Sequence, residues 1–123
     1  MCTILLSIKP EYSNRILDGT KKYEFRRQIA KRKVDRILIY SSSPEMKVVA
    51  EVEVVGVLKD SPKNLWQKTQ KSAGISFSKF MDYFEKCQVA YAYSLGELQA
   101  FDKPKSLSDY GILTAPQSFV YIA

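Results

Sequence analysis

Apolar residues recur along this chain with two periods, one near two and one near 3.6, and short polar or glycine-bearing segments mark the changes between them. Residues 3–8 (Thr3-Ile4-Leu5-Leu6-Ser7-Ile8) are apolar on both faces of an extended chain, which predicts a central first strand. Lys9-Pro10-Glu11 then opens a helix: proline suits a first turn and the acid sits at the positive end of the dipole. Tyr12 and Ile16, at i and i+4, give it a narrow core-facing stripe. Gly19 ends it, since only glycine takes positive φ without a Cβ clash.

From Lys22 the period changes to two. Over residues 22–27, Tyr23 and Phe25 point to the core, while Lys22, Glu24 and Arg26 lie on the opposite face. A basic loop, 28–34, leads to a third strand, Asp35 to Ser41, and then to the hydroxyl-rich turn Ser41-Ser42-Ser43-Pro44. Residues 46–58 make a long fourth strand, with Ala50, Val52, Val54, Gly56 and Leu58 on one face and Glu51, Glu53, Val55 and Val57 on the other. Gly56 in mid-strand predicts a bulge or a bend, as a barrel corner requires.

Ser61-Pro62 starts a second helix, carrying Leu65, Trp66 and Thr69, and Gly74 breaks the chain. Phe77, Phe80, Met81 and Phe84 recur at helical spacing behind a Ser76 cap, the pattern of a helix folded over the core. Strands follow at about 88–95, with Tyr91 and Tyr93 on one face, at 97–102 and at 119–122, with a possible turn of helix near Ser106–Tyr110. Six or so strands with three short helices that do not alternate with them make an α+β fold, a small mixed or antiparallel β-barrel. Without repeats, linkers or low-complexity tracts, residues 1–123 read as one domain.

Charge changes this picture most. The net charge is +6. Eight bases (Lys21, Lys22, Arg26, Arg27, Lys31, Arg32, Lys33, Arg36) face only two acids, Glu24 and Asp35, between residues 21 and 36, and the rest of the chain cancels. A patch concentrated in this way is the footprint of a polyanion partner, with RNA or DNA the usual candidates. Two plainer readings stand beside it: Lys31-Arg32-Lys33 as a solubilising loop, and Glu24 among its bases as ordinary surface ion pairs. The three serines Ser41, Ser42 and Ser43 either satisfy their own turn or offer hydroxyls and amides to a phosphate or base edge. Tyr23, Tyr40 and Trp66 are either core or a platform for a base.

The 123 residues contain no histidine, which excludes His-based triads and the commonest zinc sites; neither metal nor cofactor is expected. No apolar run of about 18 residues spells a membrane-crossing helix. Cys2 and Cys87, without CxxC spacing, read as small half-buried thiols of a cytoplasmic protein, and the start reads as a strand rather than a signal peptide.

Gly19, Lys21, Glu24 and Arg26 spell the Gly-x-Lys-x-x-Glu-x-Arg signature that follows the first helix in ASCH domains, and the chain resembles the small single-domain members of that family within the PUA-like superfamily. Ser7-Ile8-Lys9-Pro10, Tyr40 to Pro44, and Ala115-Pro116-Gln117-Ser118-Phe119 extend the resemblance along the whole chain. The resemblance implies a PUA-like β-barrel with a cleft beside the signature. It also implies RNA or a modified nucleotide as ligand, with a role in RNA metabolism or transcription. Glu24 stands where the amidohydrolase branch, acting on N4-acetylcytidine, carries its threonine nucleophile, and Thr20 lies on the wrong side of Lys21.

Two functions follow from these residues. In a binding module, Lys21, Arg26, Arg27 and the Lys31–Lys33 loop contact phosphates, Glu24 accepts from a base edge or holds Arg26, and Ser41–Ser43 and Gln117 add polar contacts. In a nucleotide or RNA hydrolase, Glu24 is general base and Lys21 the acid or oxyanion stabiliser. An acidic protein partner for the basic patch is a third possibility that the residues do not separate from the first.

Overall fold

The computed structural model describes residues 1–123. Its frame is a mixed six-stranded sheet: β1 (Thr3–Ile8), β2 (Tyr23–Arg26), β3 (Arg36–Ser41), β4 (Lys47–Asp60), β5 (Ala90–Lys105) and β6 (Phe119–Ile122). The strand order is β2-β5-β4-β3-β1-β6. β1 and β3 run parallel, and every other neighbouring pair is antiparallel. Three helices dress it: α1 (Pro10–Leu17), α2 (Pro62–Thr69) and α3 (Phe77–Tyr83).

The expected barrel is a curled half-barrel, and its curl has a local cause. β4 and β5 are 14 and 16 residues long and pair along most of their lengths, with register shifts at Val48/Ala50, Val52/Val54 and Val54/Gly56. Each shift adds local bend and twist to the ribbon. β3 pairs with the first half of β4, through Glu53, whereas β2 pairs with the first turns of β5, Tyr91–Ser94. The two long strands therefore carry one flank of the sheet around toward the other. Two expected strands, 88–95 and 97–102, are this one continuous strand, because the ladder to β4 holds across Leu95–Glu97 despite the bulge.

Three apolar clusters follow. The largest gathers Ile4, Leu6, Ile8, Ile16, Ile37, Ile39, Val52 and Tyr93 inside the curl. A second packs Phe25, Ala90 and Ala92 under Leu65 of α2, Phe80 of α3 and Phe84 just past it. The third places Leu5, Leu38, Tyr40 and Val48 beneath Leu107, Tyr110 and Ile112. β1 is thus buried on both faces, as its apolar run predicts. Tyr40 is buried and Trp66 half-buried against Phe77 and Phe80, so packing accounts for both. Phe77 departs from expectation and is 56% exposed: as the first residue of α3 it meets only the edge of Trp66. Both cysteines are free and half-buried. No helix is long and apolar enough to cross a membrane.

Inside the curl, the Ala30 N–H donates to the Tyr93 hydroxyl at 3.0 Å, in a buried setting that ties the basic loop to β5. Tyr93→Phe leaves that N–H without its acceptor. Chemical denaturation should show a loss of about 1–3 kcal/mol, with far-UV dichroism unchanged.

Candidate functional site

The corner between α1 and β2 is held by backbone bonds to three different elements. Gly19 takes φ +87° past the end of α1, and its N–H donates to the Ile16 carbonyl. Asp18 then accepts from both the N–H and the hydroxyl of Thr20, which holds the Asp18 carboxyl below its ordinary range and occupies the Thr20 side chain. The Lys21 N–H reaches back to the Arg15 carbonyl, that of Lys22 donates to Ser72, and that of Leu95 donates to Lys22. Lys21 is therefore placed by main-chain geometry before its side chain makes any contact.

That side chain turns inward and is only 4% exposed. Its ammonium donates to the Ala73 carbonyl at 2.8 Å, and lies 4.7 Å from the Phe25 ring centre and 5.5 Å from that of Tyr12. Burial pulls the Lys21 pKa down to about 8, against the opposing attraction of Glu24 and with help from Arg15 and Arg26. Gly74 makes the burial possible: at φ +63°, a Cβ there would stand 2.4 Å from the Lys21 Cβ. The Gly74 carbonyl also accepts from Arg15 at 2.7 Å, fixing the 73–74 segment to α1.

Glu24 and Arg26 share the other face of β2, as alternation predicts, but that face is covered rather than solvated. Glu24 is 7% exposed. Arg26 grips its Oε2 through Nε at 3.1 Å and Nη2 at 2.8 Å, and Nη2 also donates to the Ser7 carbonyl at 3.0 Å. A guanidinium is rigid enough to hold a carboxylate in one orientation. Nη1 of Arg26 and Oε1 of Glu24 make no hydrogen bond, and no buried side-chain nitrogen or oxygen lacks a partner, so both atoms are open to solvent.

Lys21, Glu24 and Arg26 line one cleft of about 400 Å³. Its other walls come from the end of β1 with Lys9, from Glu11 and Tyr12 of α1, from Phe25, and from Ile75 ahead of α3 with Lys79, Asp82 and Tyr83 on it. Periodicity gave no sign of this third wall: Lys79, Asp82 and Tyr83 read as the polar side of a packing helix, and only the chain path brings them opposite β2. Lys79 reaches Glu11 at 3.3 Å across the mouth.

The remaining expected residues lie elsewhere. Arg27 stacks on the Tyr83 ring at 4.2 Å and donates to its carbonyl at 2.9 Å, which puts it behind the rim of the cleft. Lys31, Arg32 and Lys33 line a second hollow of about 420 Å³, because the loop folds back toward β4 rather than toward α3. Ser41 is buried, with its Oγ 2.9 Å from the Oγ of Ser13, and so serves the packing of α1 on β3. Ser42 is half-buried and Ser43 and Gln117 are exposed, all outside the cleft. No three His, Cys, Asp or Glu side chains converge to hold a metal ion.

Gly74→Ala meets both a left-handed backbone and the Lys21 side chain, and should lower stability by about 2 kcal/mol in thermal or urea unfolding. Lys21 itself links stability to pH. Its pKa lies below the unfolded value of 10.5, so the unfolded chain binds the extra proton between about pH 8 and 10.5. The Lys21 contribution to stability therefore rises with pH through that window. Wild type should gain about 2 kcal/mol over Lys21→Met between pH 7 and 10 in paired urea titrations.

Comparison with known proteins places this geometry. The family model described as the ASCH domain matches residues 6–105. An ASCH domain-containing ribonuclease of Zymomonas mobilis is 28% identical over 123 residues, covering 96% of this chain and 82% of that protein. Two Ureaplasma parvum proteins, named large ribosomal subunit protein uL22 and ATP synthase subunit alpha, are 30% and 29% identical over 121 residues. The chain spans only 39% and 15% of their respective lengths. The crystal structure of ASCH from Zymomonas mobilis superposes with a TM-score of 0.90 at 27% identity, covering 98% of this chain and 87% of that one. The N-terminal domain of Staphylothermus marinus McrB, at 13% identity and a TM-score of 0.52 over 87% of this chain and 77% of its own, shares the fold alone. With its curled sheet and a family match across most of its length, the chain belongs to the ASCH domain family.

Proposed function

We propose that the cleft binds a nucleotide unit of single-stranded RNA. One observation carries this reading: three polar groups set into one hollow each keep unused bonding capacity. Lys21 spends one of its three N–H donors on Ala73, Arg26 leaves Nη1 unbonded, and Glu24 leaves Oε1 unbonded. Lys21 and Arg26 then face phosphate or sugar oxygens, while Oε1 accepts from the amino edge of a base. Both cations already sit out of bulk water, so less desolvation remains to oppose the ligand. The Zymomonas mobilis relative, named a ribonuclease, supports RNA as the ligand class.

RNA cleavage is the second reading, favoured by that relative and by a lysine that exchanges its proton near neutral pH. Here Glu24 takes the proton of a ribose 2′-hydroxyl and the freed oxygen attacks the adjacent phosphorus. The phosphorus–O5′ bond breaks, and the leaving oxygen takes a proton from Lys21. Labelled RNA should yield cyclic-phosphate ends with wild type and none with Lys21→Met; turnover that survives the substitution assigns it to another site.

For binding, Arg26→Ala should weaken affinity for an unstructured oligoribonucleotide at least tenfold at low salt. Wild-type affinity should fall as pH rises from 7 to 9, because Lys21 loses its charge near 8, and Lys21→Met should lack this step. Fluorescence anisotropy across pH and salt measures both. Salt-independent binding, or none, overturns the reading.

A further inference from the structure

The cleft leaves the densest run of positive charge unused. Lys31, Arg32 and Lys33 form no ion pair, and they rim the second hollow of about 420 Å³. The two acids nearest them in sequence are already engaged: Glu24 by Arg26, and Asp35 by the N–H of Cys2 at 2.8 Å. Asp35 also lines the hollow and a neutral N–H leaves its charge in place, so three cations stand there against one acid.

The floor of this hollow is apolar and open. Val54, Val55, Gly56 and Val57 all line it, where a regular strand would alternate them between two faces. The register shifts at Val52/Val54 and Val54/Gly56 twist this stretch of β4, so that consecutive residues border one space. Val55 is 62% exposed and Val57 43%. An apolar floor beside three cations, one of them (Arg32) stacked on Tyr121 at 4.4 Å, and a single acid suits a group that is flat and apolar on one side and anionic on the other, as a nucleotide is.

The two hollows adjoin on one face of the sheet. Glu24, in the cleft, is the register partner of Tyr93, in the second hollow, and the Tyr93 hydroxyl holds the start of the loop through Ala30. Lys31 is five positions after Arg26, a span of at most about 18 Å even fully extended. A single strand of a few nucleotides reaches across.

We propose that the hollow between the Lys31–Lys33 loop and the bulged segment Val54–Val57 is a second nucleotide subsite, taking a flanking nucleotide of the same RNA strand that enters the cleft. This rests on the RNA reading of the cleft and adds to it a minimum ligand length and a direction along the surface. A longer strand binds better than a mononucleotide because it fills both hollows at once, the second contact being intramolecular.

The test uses the full chain with fluorescent mixed-sequence oligoribonucleotides of about two and about eight nucleotides. Lys31→Gln/Lys33→Gln should leave the short ligand's affinity unchanged. The same variant should weaken the long ligand about tenfold and flatten its log–log salt slope by about 1.4, two phosphate contacts' worth for single strands. Val55→Asp, which places a carboxylate on the floor, should also weaken only the long ligand. Unchanged long-ligand affinity and salt slope in the double variant overturn the subsite, while loss of both lengths in Arg26→Ala keeps the cleft reading standing. Equal weakening of both lengths by Lys31→Gln/Lys33→Gln overturns a separate subsite as well. Displacement of the long RNA from wild type, but not from the double variant, by polyglutamate at lower concentration than by competing RNA overturns it in favour of an acidic protein partner. A wild type that binds neither length removes both readings together.

Discussion

A lysine ammonium taken out of water is the constraint on which this molecule's site depends. Such a charge costs several kcal/mol to bury unless other groups replace its hydration. Here the Ala73 carbonyl, the faces of Phe25 and Tyr12 and the field of Glu24 do so from three separate stretches of chain. The bend after α1, the left-handed Gly74 and the aromatic packing of β2 under α3 all serve that replacement. Incomplete compensation leaves its mark in the lowered pKa.

The Arg26–Glu24 pair is built differently. Its two charges neutralise one another, so its burial is less costly, and Ser7 anchors it to the end of β1. One group is therefore held tense and the other relaxed, side by side in a single hollow. The first responds to pH, and the second is fixed in orientation. A carboxylate pinned by its own arginine presents its remaining oxygen in one direction.

Local rules reached far into this structure because most of it is built from short-range signals. The proline at the start of α1, the glycine at its end, the doubly apolar β1 and the Ser61 and Ser76 caps are each decided within a few residues. So was the sharing of one β2 face by Glu24 and Arg26. What stayed hidden depends on where the chain returns. Gly74 reads as a breaker, yet its role comes from Lys21, more than fifty positions away in sequence. Lys31–Lys33 join the same charge run as Arg26, but the Tyr93 hydroxyl holds the start of their loop and they line a different hollow. Ser41 belongs to a hydroxyl-rich turn, although its partner is Ser13 beneath α1. Charge runs report what is near in sequence, whereas clefts are assembled by topology.

The excursion from Ser61 to Val89 leaves the sheet at the end of β4 and rejoins it at the start of β5. It carries α2 and α3, supplies the carbonyl beneath Lys21, and brings Lys79, Asp82 and Tyr83 to the cleft. The strands that define the fold lie outside it. Insertions, deletions and exchanges in this single stretch can therefore reshape what the hollow admits while every ladder of the sheet stays as it is. That arrangement lets one scaffold diversify its ligands by rewriting a detour instead of its foundations.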